Sequence, residues 1–355
     1  MGSRRGDILH AVRPLFPVLL FVLAVGGCPS GDDDFASGDD DGAGDDDTTD
    51  HHPDVPVDPD SWELIGVLDM DDAYGAVEWA AIRDGFLVTQ HHRWSLADAT
   101  HELQEWSGWP DGDHEQGVTC QDGPRLYFLA GGGNGLFAPW ADYHWELADL
   151  DQQAWLEGGP HDYPIHAPGI ARDEGRCILA GGNAGGGFTP TGAVQEFVLG
   201  DEVWDYHPPV PMEVQFPYVA LVDGTLMVAG GGREAVPEDT EFTSYGVAED
   251  DVYLLDLDGP SPEWVAGPPL PRPLMYGSAI GRDGRFVVFG GITNGSLLEG
   301  GLRSEIWSWA PGEDDWREDG GFPIEAFSHH LLHHDGEVYL VVVQAGDNKL
   351  YRWLR

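Results

Sequence analysis

The sequence predicts an all-β protein, a six-bladed β-propeller built from four-stranded sheets. The first observation is a repeat of two short apolar runs joined by an acidic residue and a glycine. The second is a tryptophan that follows in nearly every repeat. Self-similarity at about 50 residues is typical of propellers. The turns are Asp84-Gly85, Asp122-Gly123, Glu174-Gly175, Asp223-Gly224, Asp283-Gly284 and Asp335-Gly336, and the tryptophans are Trp106, Trp155, Trp204, Trp264 and Trp316.

Each pair of apolar runs predicts a β-hairpin. An acidic residue followed by glycine favours a tight turn in which both central residues have positive φ. The second run, such as "TLMVAGG" ending at Gly231, is apolar at successive positions rather than alternating. That pattern indicates a strand enclosed between two neighbouring blades. Helices are disfavoured because the apolar runs are short and the chain has 50 Gly and 26 Pro.

The rest of the repeat consists of a diglycine, a loop, a third strand with an aromatic residue, and a fourth strand that begins with tryptophan. Gly230-Gly231, Tyr253 and Trp264 fill these places in one repeat, and four of the six repeats have the same order. Glycine pairs allow two chain segments to approach where a Cβ would clash. The order resembles the kelch motif, which implies a kelch-type propeller similar to the central domain of galactose oxidase.

The two ends of the chain predict how the ring closes. The last repeat ends after its third strand, near Tyr351, and lacks an outer strand. Trp62 stands in the sequence context of the outer strands of the other repeats. We therefore expect residues 62–68 to complete the last blade, which gives six tryptophans for six blades. A ring closed in this way has no open edge between its first and last blades.

The beginning of the chain resembles a bacterial lipoprotein signal. Arg4, Arg5 and Arg13 come before an apolar stretch of about 13 residues, too short to span a bilayer. The "VGGC" sequence resembles a lipobox, which implies removal of residues 1–27 and attachment of lipid to Cys28. An ordinary secretory signal with an incidental cysteine is the alternative. We expect a cell-envelope protein at the outer membrane or cell surface rather than the inner membrane.

Residues 28–60 are predicted to form a disordered tether. Positions 29–60 contain 13 Asp and no Glu, Lys or Arg, so they cannot bury enough apolar surface to offset the entropy of ordering. Carboxylates suit Ca²⁺, but this stretch has no framework to make six to eight oxygens converge. Residues 61–355 are then left for one propeller domain.

The charge of the chain argues against nucleic acid as a partner. The formal net charge is −46, and the residues from 61 onward retain 49 acids and 14 bases, or −35. A protein of that sign repels phosphate backbones. A membrane reached through the lipid, and an envelope protein or glycan, are the partners we expect for a monomer.

Two cysteines lie within the predicted domain. Cys120 and Cys177 flank the turns of two adjacent blades, and an exported compartment would permit a disulfide. Their separation in space is not fixed by the sequence, so pairing and buried free thiols both remain open.

The candidate binding site is the face that carries the inter-blade connections and the loops between second and third strands. Those loops are long in the four middle repeats. Loops on a rigid scaffold are common binding elements. The innermost strands begin on the same face, around Glu115, His166, Tyr218, Tyr276 and His329. The alternative is that these side chains only fill the mouth of the central channel.

Catalytic and metal motifs are not apparent in the sequence. His329 and His333 would share a strand face but lie about 13 Å apart, too far to bind one metal ion. The chain has no GxSxG, Walker or HExxH motif. We expect no metal and no cofactor, and a non-catalytic binding or scaffolding function.

Two other functions remain open. Exported kelch proteins include sugar epimerases, so Glu115, His166 and His329 could supply acid and base groups in an epimerase or lyase. Acidic loops could instead support Ca²⁺-dependent adhesion.

Overall fold

The computed structural model shows a β-propeller whose regular structure, in the part of the chain described, consists of strands. It describes residues 61–68, 80–89, 92–98, 100–103, 115–132, 144–173, 175–184, 189–236, 246–260, 262–293, 301–323, 329–334, 336–342 and 348–355. The predicted signal peptide, Cys28, the acidic tether, Trp106 and most of the long loops lie outside these residues. Within them, no helix is long and apolar enough to cross a bilayer.

Six four-stranded antiparallel sheets form the blades, as the sequence predicts. From the innermost to the outermost strand, blade 1 is Ala81–Arg83, Phe86–Val88, His92–Ser95 and His101–Leu103, blade 2 is Glu115–Asp122, Arg125–Gly132, His144–Asp149 and Ala154–Pro160, and blade 3 is Gly169–Asp173, Arg176–Ala180, Val194–Val198 and Val203–His207. Blade 4 is Tyr218–Val222, Thr225–Ala229, Val252–Asp256 and Trp264–Ala266, blade 5 is Ser278–Arg282, Arg285–Ile292, Leu302–Trp309 and Arg317–Gly321, and blade 6 is His329–His334, Glu337–Val342, Asn348–Trp353 and Trp62–Leu68.

Two further antiparallel pairs of two-residue strands lie outside the blades. They are Ile165–His166 with Asn183–Ala184, and Gly232–Arg233 with Val247–Ala248.

The N-terminal strand closes the ring, and the prediction for residues 62–68 is confirmed. Trp62 pairs with Trp353 and Leu68 with Asn348 in an antiparallel register. The Trp62 indole donates a 2.9 Å hydrogen bond to the Gly321 carbonyl of blade 5. Its ring also packs against Phe322 of the same blade, at 5.8 Å between centroids. The first strand in sequence therefore binds the last two blades together.

The hairpin prediction is also confirmed. Asp223 and Gly224 have φ values of 45° and 76°, both in the left-handed region that a tight two-residue turn requires. In the following strand, Leu226, Met227 and Val228 are successive residues with no exposed surface. This strand is enclosed on both sides because its neighbours are the adjacent blades.

Three of the repeated tryptophans, Trp62, Trp264 and Trp316, fasten their outer strands to the preceding blade. Trp264 of blade 4 donates to the Pro208 carbonyl at 2.9 Å, just after the outer strand of blade 3. Trp316, at the start of the outer strand of blade 5, donates to the Pro268 carbonyl at 3.1 Å. The Trp62 bond to blade 5 is the same arrangement, so these residues have the structural role that their repetition predicts.

Cys120 and Cys177 form a disulfide between blades 2 and 3. Their Cα atoms are 6.4 Å apart, and both residues are buried. They lie in a core with Tyr127, Trp145 and Phe197. The structure thus resolves the alternative that the sequence left open in favour of the paired form.

Candidate functional site

In the described blades 3, 4 and 5, the mouth of the channel is built from the residue two positions before the innermost strand. Ala167, Phe216 and Tyr276 occupy this place in blades 3, 4 and 5, and their φ values are 55°, 50° and 64°. The Phe216 amide donates to the Ala167 carbonyl at 2.9 Å, and the Tyr276 amide donates to the Phe216 carbonyl at 3.1 Å. Backbone held in the left-handed region by non-glycine residues costs about 1–3 kcal/mol each. The mouth is therefore a strained, fixed backbone ladder.

Aromatic rings cover part of this ladder. The rings of Phe216 and Tyr276 lie 4.2 Å apart between centroids, and both residues are half-buried. Tyr276 was a candidate from the sequence, whereas Phe216 was not. Both residues stand seven positions before the acidic residue of their turns, as Glu115 does in blade 2. Counting back from the turn would have found Phe216.

Tyr218 lies two residues farther along, in the interface between blades. It has no exposed surface, and its hydroxyl donates to the Gly290 carbonyl at 2.6 Å. A Cβ on Gly291 would lie 2.0 Å from that hydroxyl, so the diglycine of blade 5 makes room for Tyr218. In this structure Tyr218 packs the core beneath the mouth.

His166 lies beside the ladder in a partly buried position. It pairs with Asn183 in the short antiparallel strands next to blade 3. Burial lowers the pKa of His166 below the ordinary histidine value, and no charged group contributes to that shift. Asn183 in turn donates a 2.7 Å hydrogen bond to the buried Gln215 side chain. This region therefore holds a neutral histidine and buried amides.

Glu115 and His329 begin the innermost strands of blades 2 and 6, as predicted. Their side chains lie outside the described residues. The five candidates are thus brought to the same end of their blades, and their role in binding stays a prediction.

A carboxyl group with a raised pKa also lies on this face. Burial, the largest cause, raises the pKa of Glu249, and an ion pair with Arg233 opposes that shift. Among the described residues, no cluster of three or more His, Cys, Asp or Glu side chains could hold a metal ion. The charged partner of the Glu249 carboxyl group is thus the Arg233 guanidinium.

A second feature of the loop face is an open groove of about 900 Å³ at the outer edge of blade 3. Its walls are the connections that enter and leave blade 3, together with the adjoining ends of its two outer strands. We call it the blade-3 groove, and its main side chains are Asp162, Tyr163, Tyr206, His207, Met212 and Glu213. Its volume is within the usual range for ligand sites, about 300–1,000 Å³.

The base of the blade-3 groove is held by buried polar contacts. Gln195, with no exposed surface, donates to the Tyr163 carbonyl at 3.0 Å and lies 2.6 Å from His161. His161 stacks on Trp204 with centroids 4.1 Å apart and ring planes 3° from parallel. On the opposite wall, the Val210 amide donates to the Gly192 carbonyl at 2.8 Å. The groove is therefore a formed feature of the blade.

Comparison with known proteins agrees with this architecture. No family model matches the chain. A stretch of 98 residues is 31% identical to Kelch-like protein 41 from the rat, Rattus norvegicus, covering 27% of this chain and 16% of that protein. The chain thus spans about a sixth of the length of this relative.

The solved structure described as "Structure of YjhT" is similar over 77% of this chain and 91% of that chain. Its TM-score is 0.59 at 12% sequence identity, a likeness of fold alone. The blade pattern and these comparisons identify the fold as a kelch-type six-bladed β-propeller.

Proposed function

We propose that this protein is a non-catalytic binding or scaffolding protein, exported and held at the bacterial envelope by lipid on Cys28. The observation that supports it most is the channel mouth. Its described side chains are a pair of aromatic rings in contact, Phe216 and Tyr276, and a histidine whose pKa is shifted by burial alone. Aromatic faces on a fixed backbone suit recognition, since little freedom is lost on binding.

Two features support export. The buried Cys120–Cys177 disulfide suits an oxidising compartment. The basic and apolar leader with "VGGC" resembles the signal that directs lipid to Cys28. An acidic tether of about 30 residues would then hold the propeller away from the membrane surface.

Capture of envelope components by the full-length protein tests the binding function. We expect wild type to retain a specific protein or glycan, and Tyr276→Ala to lose it because one face of the aromatic pair is removed. The control is Asp223→Asn, in a turn of blade 4 at the end opposite the mouth. Equal capture by all three proteins would contradict the proposal. Turnover of sugars that His166→Gln abolishes would instead favour an epimerase or lyase.

Membrane fractionation tests the anchor separately. Wild-type protein should sediment with membranes and carry lipid on its N-terminal peptide. Cys28→Ala should be released or left unprocessed. A variant that keeps both its membrane association and its lipid would contradict attachment at Cys28.

A further inference from the structure

We propose that the blade-3 groove binds a basic peptide segment through Lys or Arg side chains. The inference rests on the binding function proposed above and assigns to it a second site and a class of partner. The groove and the channel mouth use different residues, so each can be tested alone.

Two tyrosines that line the groove stand at positions where the neighbouring repeat has other residues. Tyr206 stands two residues after its blade tryptophan, where blade 4 has Ala266. Tyr163 stands eight residues after Trp155, where the next connection has Met212. Both tyrosines have about half of their surface exposed, 53% for Tyr206 and 46% for Tyr163. Two large exposed aromatics at one inter-blade edge are not required by the propeller, which forms the next edge without them.

The charge of the groove selects against anions. Asp162 and Glu213 are exposed on its walls, and no Lys or Arg is among the described residues that line it. Its one basic side chain, His207, is bonded to Glu196 at 2.7 Å. That hydrogen bond is the largest cause lowering the pKa of the Glu196 carboxyl group, so the pair is internally satisfied. The two wall carboxylates are left to face a ligand.

A Lys or Arg side chain matches this combination of surfaces. Its aliphatic stem packs on apolar surface such as Met212, and its cationic end is attracted both to a tyrosine face and to a carboxylate. A groove of about 900 Å³ is large for one small amine and suits several residues of an extended chain. The charge of −35 over residues 61–355 would speed the approach of a basic segment.

The test is fluorescence anisotropy with a fluorescein-labelled peptide of four Arg-Pro repeats and the full-length protein in mild detergent. Proline keeps the probe extended and reduces the entropy lost on binding. Salt near physiological strength suppresses long-range attraction to the acidic surface. We expect saturable binding, and Asp162→Asn/Glu213→Gln should raise Kd about tenfold, the equivalent of 1.4 kcal/mol.

The matched control removes the same charge elsewhere. Asp314→Asn/Asp315→Asn changes two exposed carboxylates in a turn of blade 5 and should change Kd by less than about twofold. Equal weakening by both double variants would show non-specific attraction and overturn the proposal. A peptide with Glu in place of Arg should not bind, and binding of that peptide would also overturn it.

The contribution of the two tyrosines is tested by replacing them with the residues at the equivalent positions of the neighbouring repeat. Tyr163→Met/Tyr206→Ala copies Met212 and Ala266, and should abolish saturable binding while the protein stays folded. Unchanged affinity, or a preference of the wild type for a neutral cello-oligosaccharide over the peptide, would reject a basic peptide as ligand. If the peptide tests fail while Tyr276→Ala still loses the captured partner, the groove assignment fails and the proposed function stands.

Discussion

Two tyrosines show that the role of a side chain depends on its distance from the mouth. Tyr276 lies half-buried in the strained ladder, whereas Tyr218, two places deeper in its own repeat, is enclosed between blades. Burial raises the pKa of the Tyr218 hydroxyl far above its usual range, so it stays a proton donor to the Gly290 carbonyl. Position within the repeat decides whether a tyrosine is available to a ligand.

Removing the Tyr218 hydroxyl should therefore cost stability. Tyr218→Phe leaves the Gly290 carbonyl without its 2.6 Å partner, and an unsatisfied buried acceptor costs about 1–3 kcal/mol. Urea unfolding measures the change in the free energy of unfolding. Tyr163→Phe, at an exposed tyrosine, is the matched control and should change it by less than about 0.5 kcal/mol. Equal stability of the two variants would show that the Tyr218 bond contributes nothing.

Stability should also fall at mildly acidic pH. Burial lowers the pKa of His161, His166 and His333 below the ordinary value of 6.5. Below pH 6.5 these histidines bind protons in the unfolded chain but stay neutral in the folded protein. Stability is therefore lost as the pH falls from 6.5 towards the folded-state pKa values.

His161→Gln tests whether stability falls with pH because buried histidines resist protonation. Unfolding free energies between pH 7.5 and 5.5 should decline less steeply in the variant than in wild type, because one of the contributing histidines is gone. The slope is the relevant quantity, since replacing a buried ring also lowers stability at every pH. A slope identical to wild type would mean that His161 does not contribute.

At the scale of elements, the sequence was enough to predict the strands, but only some of the residues at the channel mouth. Hairpins such as the one at Asp223-Gly224 follow from local turn chemistry, and the enclosed strands follow from unbroken apolar runs. Phe216 was missed although its spacing from Asp223 matches that of Tyr276 from Asp283, and its contact with Tyr276 depends on a backbone ladder between blades. The blade-3 groove was missed because Tyr163 and Tyr206 belong to different repeats and line one groove only in the folded protein.

The disulfide should stabilise the junction of blades 2 and 3. Cys120 and Cys177 are 57 residues apart in sequence, and closing a loop of that length in the unfolded chain contributes about 4 kcal/mol. Cys120→Ala/Cys177→Ala should lower the free energy of unfolding by a similar amount. In a Cys28→Ser background, protein unfolded without reductant should show no reactive thiol. Two titratable thiols per chain would contradict the pairing.

At the scale of the whole molecule, closure of the ring determines which surfaces meet a ligand. The outer strand of blade 6 comes from Trp62–Leu68, so the two ends of the propeller are joined by backbone pairing. Its side chains add to this, since Arg352 donates to Glu63 at 2.9 Å and Trp62 bonds to blade 5. Closure fixes the inter-blade geometry on which both the mouth and the groove depend.

A cysteine pair across this closing seam tests the account most directly. Glu63 and Arg352 are direct partners in the antiparallel register, where Cα atoms lie about 4.5–5.5 Å apart, within reach of a disulfide. Oxidation of Glu63→Cys/Arg352→Cys in a Cys28→Ser background, followed by peptide mass mapping, should yield one cross-linked peptide joining the two ends of the domain. Glu63→Cys/Val265→Cys, which places the second cysteine on blade 4, should yield none. Absence of the first cross-link, or equal yields from both pairs, would contradict a ring closed by its own N-terminal strand.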